Sequence, residues 1–359
     1  KNVQINQTDT DNCHMNQGTL IFDSFDYKIR DQYSHWNRST SNHHFLWDLI
    51  AIAPSDCNLH ISLKRENITH VHMEEYDYKT VPYLPRKIFK LNNMISFSSY
   101  TYGARIDEIP MGIQNLKNLE ILNLRDCSLN EIPIGICNLK NLKNLILDDN
   151  QITKIPPEIG QLTNLKELKL DGNRIQEIPD EIGCLKSLEI LSLYTQWSAG
   201  NSLTRLPPQI GELTNLIELS LSKNDISELP IEIFKLKKLQ KLHLYDNKLT
   251  ELPPQIGHLK NLKVLDLGGT YNGSNDISVI PKEIKNLKKL EKFILSSNGL
   301  VEIIPEFGEL SSLVHLDLKS NYALSHKLPN VLTKLSKLSK LILISCHSHD
   351  DKWNDEEQK

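Results

Sequence analysis

The chain has 359 residues, 39% of them hydrophobic and 24% charged, with a formal net charge of −4 at neutral pH. That length could hold two domains, and the balance of charge excludes the strongly basic stripe of a nucleic-acid surface. No stretch approaches the roughly 18 consecutive apolar residues of a membrane span; Phe45 to Ala53 and Leu341 to Ile344 are the longest candidates and fall far short.

The first residues, Lys1-Asn2-Val3-Gln4, are followed by no apolar run, so no signal peptide is read there. Residues 1–67 carry no repeat and are dense in aromatic side chains, among them Phe22, Phe25, Tyr27, Tyr33, Trp36, Phe45 and Trp47, which suits an N-terminal cap. Within it, the run from His44 to Ile52 reads as a short helix, and Leu59, Ile61 and Leu63 alternate like a strand pairing with the strand that follows. Cys13 and Cys57, both outside the repeats, are the pair that could form a disulfide.

From residue 68 to residue 346 one pattern recurs: L-x-x-L-x-L-x-x-N-x-L-x-x-L-P, seen as Leu142, Leu145, Leu147, Asn150, Ile152, Ile155, Pro156. About twelve units begin at Ile68, Met94, Leu119, Leu142, Leu165, Leu188, Leu216, Leu239, Leu262, Leu290, Leu313 and Leu338. The basic spacing is 23 residues, lengthened to 28 after Leu188 and after Leu262. Each unit opens on an alternating stretch that predicts a short strand with its fourth and sixth residues turned inward. One such strand cannot bury that face alone; stacked in a parallel ladder at about 4.8 Å per unit, the units share a continuous core. The Asn at 150, 173, 224 and 247 stands where the chain leaves the strand, and its amide can satisfy freed backbone groups of adjacent turns, which predicts a buried ladder. Cys127 and Cys346 fill the same slot, where a small buried residue packs. The second half of each unit, as in Ile155-Pro156-Pro157-Glu158-Ile159-Gly160-Gln161-Leu162, is too short for a full α-helix and predicts extended and 3₁₀ segments. Cys137 and Cys184, in this half of two different units, read as free thiols. Residues 347–359 form a polar tail. The last strand, near Leu338 to Leu343, is an edge, and unpaired backbone there is a template for association; weak homo-oligomerisation through this C-terminal edge strand is therefore an expectation.

The segment from Ile155 to Leu193 resembles the leucine-rich repeat family, in its 23-residue class with I/L-P-x-x-I-x-x-L after the Asn step, and the likeness covers roughly three quarters of the chain. Sequences this regular look like secreted bacterial repeat proteins such as the leptospiral group, or like Ras-group repeats of plants and animals, and the bacterial reading is preferred. The resemblance implies an α/β solenoid, horseshoe-like, with a parallel sheet on the concave face and short 3₁₀, helical or extended segments on the convex face. It implies a scaffold that recognises a protein partner, secreted or at a cell surface and engaged in a host–pathogen contact, without catalytic activity or a cofactor.

In such a coil, positions three, five and seven project onto the concave face. Position seven reads Tyr100, Asp148, Tyr194 and Tyr245 among others, and position five includes His243 and Asp266. Tyrosine set among charges is enriched at interface hot spots, though it is also an ordinary strand residue. Both long units insert five residues at the strand exit, with Trp197 in one insertion and Tyr271 in the other, at a rim where insertions are also readily tolerated. The candidate partner site is therefore Tyr194, Trp197, Lys223, His243, Tyr245, Asp246, Asp266 and Tyr271, with Tyr100 and Asp148 as a second area. His70, His72 and Glu74 alternate on one strand and could offer two imidazoles and a carboxylate to a metal, against an ordinary polar strand face. The glycines recur with the repeat period and form no phosphate loop, and the carboxylates Asp148, Asp149 and Asp171 lie in no cleft that would serve hydrolysis.

Overall fold

The computed structural model describes residues 13–16, 19–22, 57–64, 67–75, 86–100, 109–195, 200–270, 275–324 and 330–343. Two compact units are found, Lys1–Leu170 and Asp171–Lys359, divided inside the repeat array.

In the first unit, β1 (Cys13–Asn16), β2 (Thr19–Phe22), β3 (Cys57–Lys64) and β4 (Asn67–Glu75) form an antiparallel meander, with a register shift at Ser62/Leu63. The Leu59, Ile61, Leu63 alternation is thus a strand paired with the first repeat strand, as the sequence predicts. From β4 onward pairing is parallel: β4 with β5 (Ser96–Tyr100), then β6 (Ile121–Asn123), β7 (Asn144–Ile146) and β8 (Glu167–Lys169). The expected helix at His44 to Ile52, the aromatic cap residues around it, the side chains of Cys13 and Cys57, and the tail lie outside the described residues.

The second unit holds β9 (Ile190–Ser192), β10 (Glu218–Ser220), β11 (Lys241–His243), β12 (Val264–Asp266), β13 (Lys292–Ile294), β14 (His315–Asp317) and β15 (Lys340–Ile342), each parallel to the next. Every one of these strands occupies positions three to five of its repeat. The inward leucines at four and six, such as Leu242 and Leu244, are fully buried, and each contributes about 1.5–3 kcal/mol relative to exposure. Leu341 of β15 is 37% exposed where Leu316, one coil earlier, is 0%.

The asparagine slot forms the ladder that the repeat predicts. Asn247 Oδ1 accepts the backbone N–H of Ile226 at 3.1 Å, two residues past Asn224 in the preceding coil. Its Nδ2 donates to Leu244 O of its own coil and to Leu221 O of the preceding one. Asn224, Asn275, Asn298 and Asn321 repeat this arrangement, and Asn150 does so in the first unit. Where the slot holds Cys127, its thiol donates to Ser99 O and Arg125 O instead. The five-residue insertions leave the slot in place, since Asn201 and Asn275 still bond Leu193 O and Leu267 O of their own coils.

After the slot, a Pro in extended geometry leads into a 3₁₀ turn. Pro156 has φ −70° and ψ 146°, and Ile159 N–H then donates to Pro156 O and Leu162 N–H to Ile159 O. Ile134–Cys137 alone among the described repeat turns closes as an α-helical turn. Cys137 is buried and free, its thiol pushed up to about 11 chiefly by burial, while Cys184 is free and exposed.

We expect Asn247→Ala to strand the Ile226 N–H and two buried carbonyls and to cost about 2–4 kcal/mol, read as a fall in the denaturation midpoint; a loss of only a few tenths would mean that the ladder is decoration. Thiol labelling should modify Cys184 under native conditions and spare Cys127 and Cys137 until unfolding; fast native labelling of Cys137 would contradict its placement.

Candidate partner-binding site

β9 to β12 carry their outward residues in register: Glu218 faces Lys241 at position three, and Ser220, His243 and Asp266 line up at position five. At position eight the backbone turns left-handed in most coils, with φ of 54° at Lys223 and 50° at Asp246. That turn lets the position-eight N–H continue the ladder, Lys223 N–H to Tyr245 O at 2.6 Å and Asp246 N–H to Gly268 O at 2.9 Å. The position-seven residues are thereby pinned at both ends.

Gly268 takes the place of a side chain next to Tyr245. A Cβ there would lie 2.6 Å from Ser296 Oγ, 2.9 Å from Ile294 Cγ2 and 3.4 Å from Tyr245 Cδ2, so neighbouring side chains already fill that space and a larger residue would push against them. Gly200, after the first insertion, leaves no room for a Cβ against the Thr195 side chain. The second inserted loop starts at Thr270, whose N–H and hydroxyl bond the Asp246 carboxylate at 2.6 and 3.1 Å and whose side chain also bonds Tyr245.

Tyr194, Glu218, Ser220, Ser222, His243, Tyr245 and Asp266 line a concavity of about 360 Å³ on this strand face. Asp171 supports the Tyr194 side, accepting the Ser192 hydroxyl and the Tyr194 N–H at 2.6 Å each. Lys241 Nζ holds Glu218 Oε2 at 2.9 Å, and His243 Nδ1 stands 3.9 Å from Asp266 Oδ2. Burial first, then the carboxylates Asp246 and Asp266 and the Tyr194 phenol, push the Tyr245 phenol up to about 12. Burial also raises the Asp246 carboxyl, against the hydrogen bonds from Thr270 and the field of Lys223.

Ser220, His243 and Asp266 supply the residue types of a hydrolytic triad in adjacent strands. Among the described residues Ser220 makes no hydrogen bond to His243, and the N–H groups of Leu221 and Lys223 are spent on His243 O and Tyr245 O. The row offers donors and acceptors to a ligand, without the nucleophile–base contact or free oxyanion donors of acyl transfer.

The structure thus brings together Tyr194, His243, Tyr245 and Asp266, with Lys223 and Asp246 beside them in the left-handed turns. Sequence reading did not single out Ser220, Ser222 or Glu218, whose signal was their register with the residues that it chose. Trp197 and Tyr271 lie outside the described residues, as do the side chains of Tyr100, His70, His72 and Glu74; the backbone pairs His70 with Ser96 and Glu74 with Tyr100. Asp148, in the first unit, is 7% exposed and so turned out to be mostly covered where an open strand-face position was expected. Among the described residues no three His, Cys, Asp or Glu side chains gather where a metal could sit, and no helix is long and apolar enough to cross a membrane.

Short strands in parallel register, an asparagine ladder and 3₁₀ returns define a leucine-rich repeat protein. The family model "Leucine-rich repeat region" matches residues 100–171 and 209–356, and "Leucine Rich Repeat" matches residues 164–185; the chain belongs to the leucine-rich repeat family. It is similar to a leucine-rich repeat protein of Leptospira interrogans, with 34% identity and a TM-score of 0.70 over 79% of this chain and 69% of that one. It also resembles the ectodomain of the Arabidopsis thaliana membrane receptor kinase GASSHO1/SCHENGEN3, solved with Casparian strip integrity factor 2, at 30% identity and TM-score 0.59 over 73% of this chain. The Arabidopsis receptor kinase HAESA, in complex with the peptide hormone IDA and the co-receptor SERK1, matches at 28% identity and TM-score 0.66 over 79% of this chain. The chain spans 34% and 47% of those two plant chains. No curated protein matches it by sequence.

A raised phenol is neutral in the folded chain after the unfolded one has ionised, so the stability that Tyr245 contributes is whole below about pH 10 and lost as pH rises through about 12. Ultraviolet phenolate titration should show one late step near 12 that Tyr245→Phe removes; an unchanged late step in that variant would contradict the assignment.

Proposed function

We propose that the chain is a binding scaffold that recognises a protein partner through the strand face of its second unit, centred on the concavity between Tyr194 and Tyr245. The observation that carries this reading is that concavity: two half-buried tyrosines at position seven enclose serine, histidine and carboxylate side chains in adjacent strands. Tyrosine combines large apolar area, one hydrogen bond and little rotamer entropy, which is why it is over-represented among interface anchors. The loops carrying Trp197 and Tyr271 frame the site in this reading, with Lys223 and Asp246 as polar contacts.

Solved relatives bound to peptide or protein partners, GASSHO1/SCHENGEN3 and HAESA among them, support a recognition role. The likeness to a leucine-rich repeat protein of Leptospira interrogans supports a bacterial setting, and the finer reading we propose is a secreted or surface protein that meets a host partner.

Partner proteins captured from host and bacterial lysates on the immobilised chain would be titrated against it by calorimetry. Combined Tyr194→Ala and Tyr245→Ala replacement should weaken binding by about 2–4 kcal/mol and leave the melting temperature within a degree or two, since neither ring belongs to the core. Equal affinity for the native chain and the double variant would place the site elsewhere.

A further inference from the structure

The geometry points to a single basic side chain, an Arg or Lys on an extended segment of the partner, seated between Tyr194 and Tyr245 and against Asp266 and Glu218; this rests on the reading of the concavity as the partner site. Its volume, about 360 Å³, lies at the lower end of the roughly 300–1,000 Å³ of ligand pockets, which suits one long side chain and not a folded surface.

Two kinds of group converge there that favour a cation. Aromatic faces attract a guanidinium or ammonium through the ring quadrupole, and two tyrosines, both at position seven and two coils apart, line the concavity. The carboxylates are unevenly engaged. Asp246 is taken up by Thr270, and one oxygen of Asp171 by Ser192 and Tyr194. Asp266 gives Oδ1 to the Gly268 N–H at 3.2 Å, and its Oδ2 meets only the His243 ring, at 3.9 Å. Glu218, which also lines the concavity, binds Lys241 through Oε2. A guanidinium, with several N–H donors in one plane, suits a concavity lined by the two carboxylates Asp266 and Glu218.

The local field agrees. After burial, which opposes any charge, Asp246, Asp266 and the Tyr194 phenol oppose ionisation of the Tyr245 phenol, and the carboxylates' share of that field favours a cation. An acidic side chain would meet the same carboxylates with like charge and lose its hydration without recompense.

The test uses a displayed library of random peptides of about twelve residues, which extended span roughly 40 Å, selected on the full chain. Enriched sequences should share an Arg or Lys, and changing that residue to citrulline or norleucine should weaken binding at least about tenfold. Asp266→Asn, which keeps the acceptor for Gly268 N–H and removes the charge, should weaken the same peptides by a similar factor and flatten their loss of affinity with added salt. Enriched peptides without a basic residue that still need Tyr194 and Tyr245 would overturn the cation inference and leave the site standing. Basic peptides that bind the double tyrosine variant as well as the native chain would overturn the site itself, and a library with no enriched sequence would overturn the inference too.

Discussion

A buried primary amide with nowhere to send its four hydrogen-bonding valences would cost several kcal/mol, and the fold depends on answering that constraint once per coil. Asn150, Asn224, Asn247, Asn275, Asn298 and Asn321 each send the oxygen to the preceding coil's backbone N–H and the two N–H groups to one carbonyl of their own coil and one of the coil before. The groups so satisfied are those freed where a three-residue strand ends and the chain turns. The bond crosses from coil to coil, so one coil cannot complete it alone; the leucines behave alike, since their burial too needs a neighbour on each side. Side-chain polarity and hydrophobic area therefore impose the same stacking.

Because those two demands are met at positions four, six and nine, the strand face is left free to vary. Positions three, five and seven can hold Tyr, Ser, His, Glu or Asp without touching the core, as the partly exposed Tyr194, His243 and Asp266 show against the fully buried Leu242 and Leu244 between them. The insertions obey the same separation. Asn201 and Asn275 recover their bonds after five extra residues, so a rim loop can be added beside the site without shifting the register that builds it.

Much of this is legible in the sequence because the repeat supplies many copies of the same evidence. The strands, the slot ladder, the 3₁₀ returns and the four residues that meet in the concavity follow from counting positions. The left-handed turn at position eight went unread, although Asp126, Asp149, Gly172, Asp246, Ser297 and Ser320 are short residues, and Asp and Gly are the types that accept that conformation, with Lys223 the departure; the turn keeps the ladder bond while the chain leaves the strand. A second, exposed asparagine series also went unread. Asn118, Asn141, Asn164, Asn215 and Asn261 each donate to a carbonyl one coil back, and their recurrence just before the opening leucine was the available signal. Strands β1 and β2 lie where the chain has no period to count, and pairing between distant segments leaves no local mark.

The relay of asparagine bonds is tested most directly by native-state amide exchange at the N–H groups it claims, those of Ile226, Leu249, Ile277 and Leu300. These lie outside every strand, and their hydrogen-bond acceptors are asparagine side chains. Protection factors equal to those of the strand amides of Leu242 and Leu265 are the predicted result; exchange at the rate of exposed loop amides would show that the ladder does not hold the coils together.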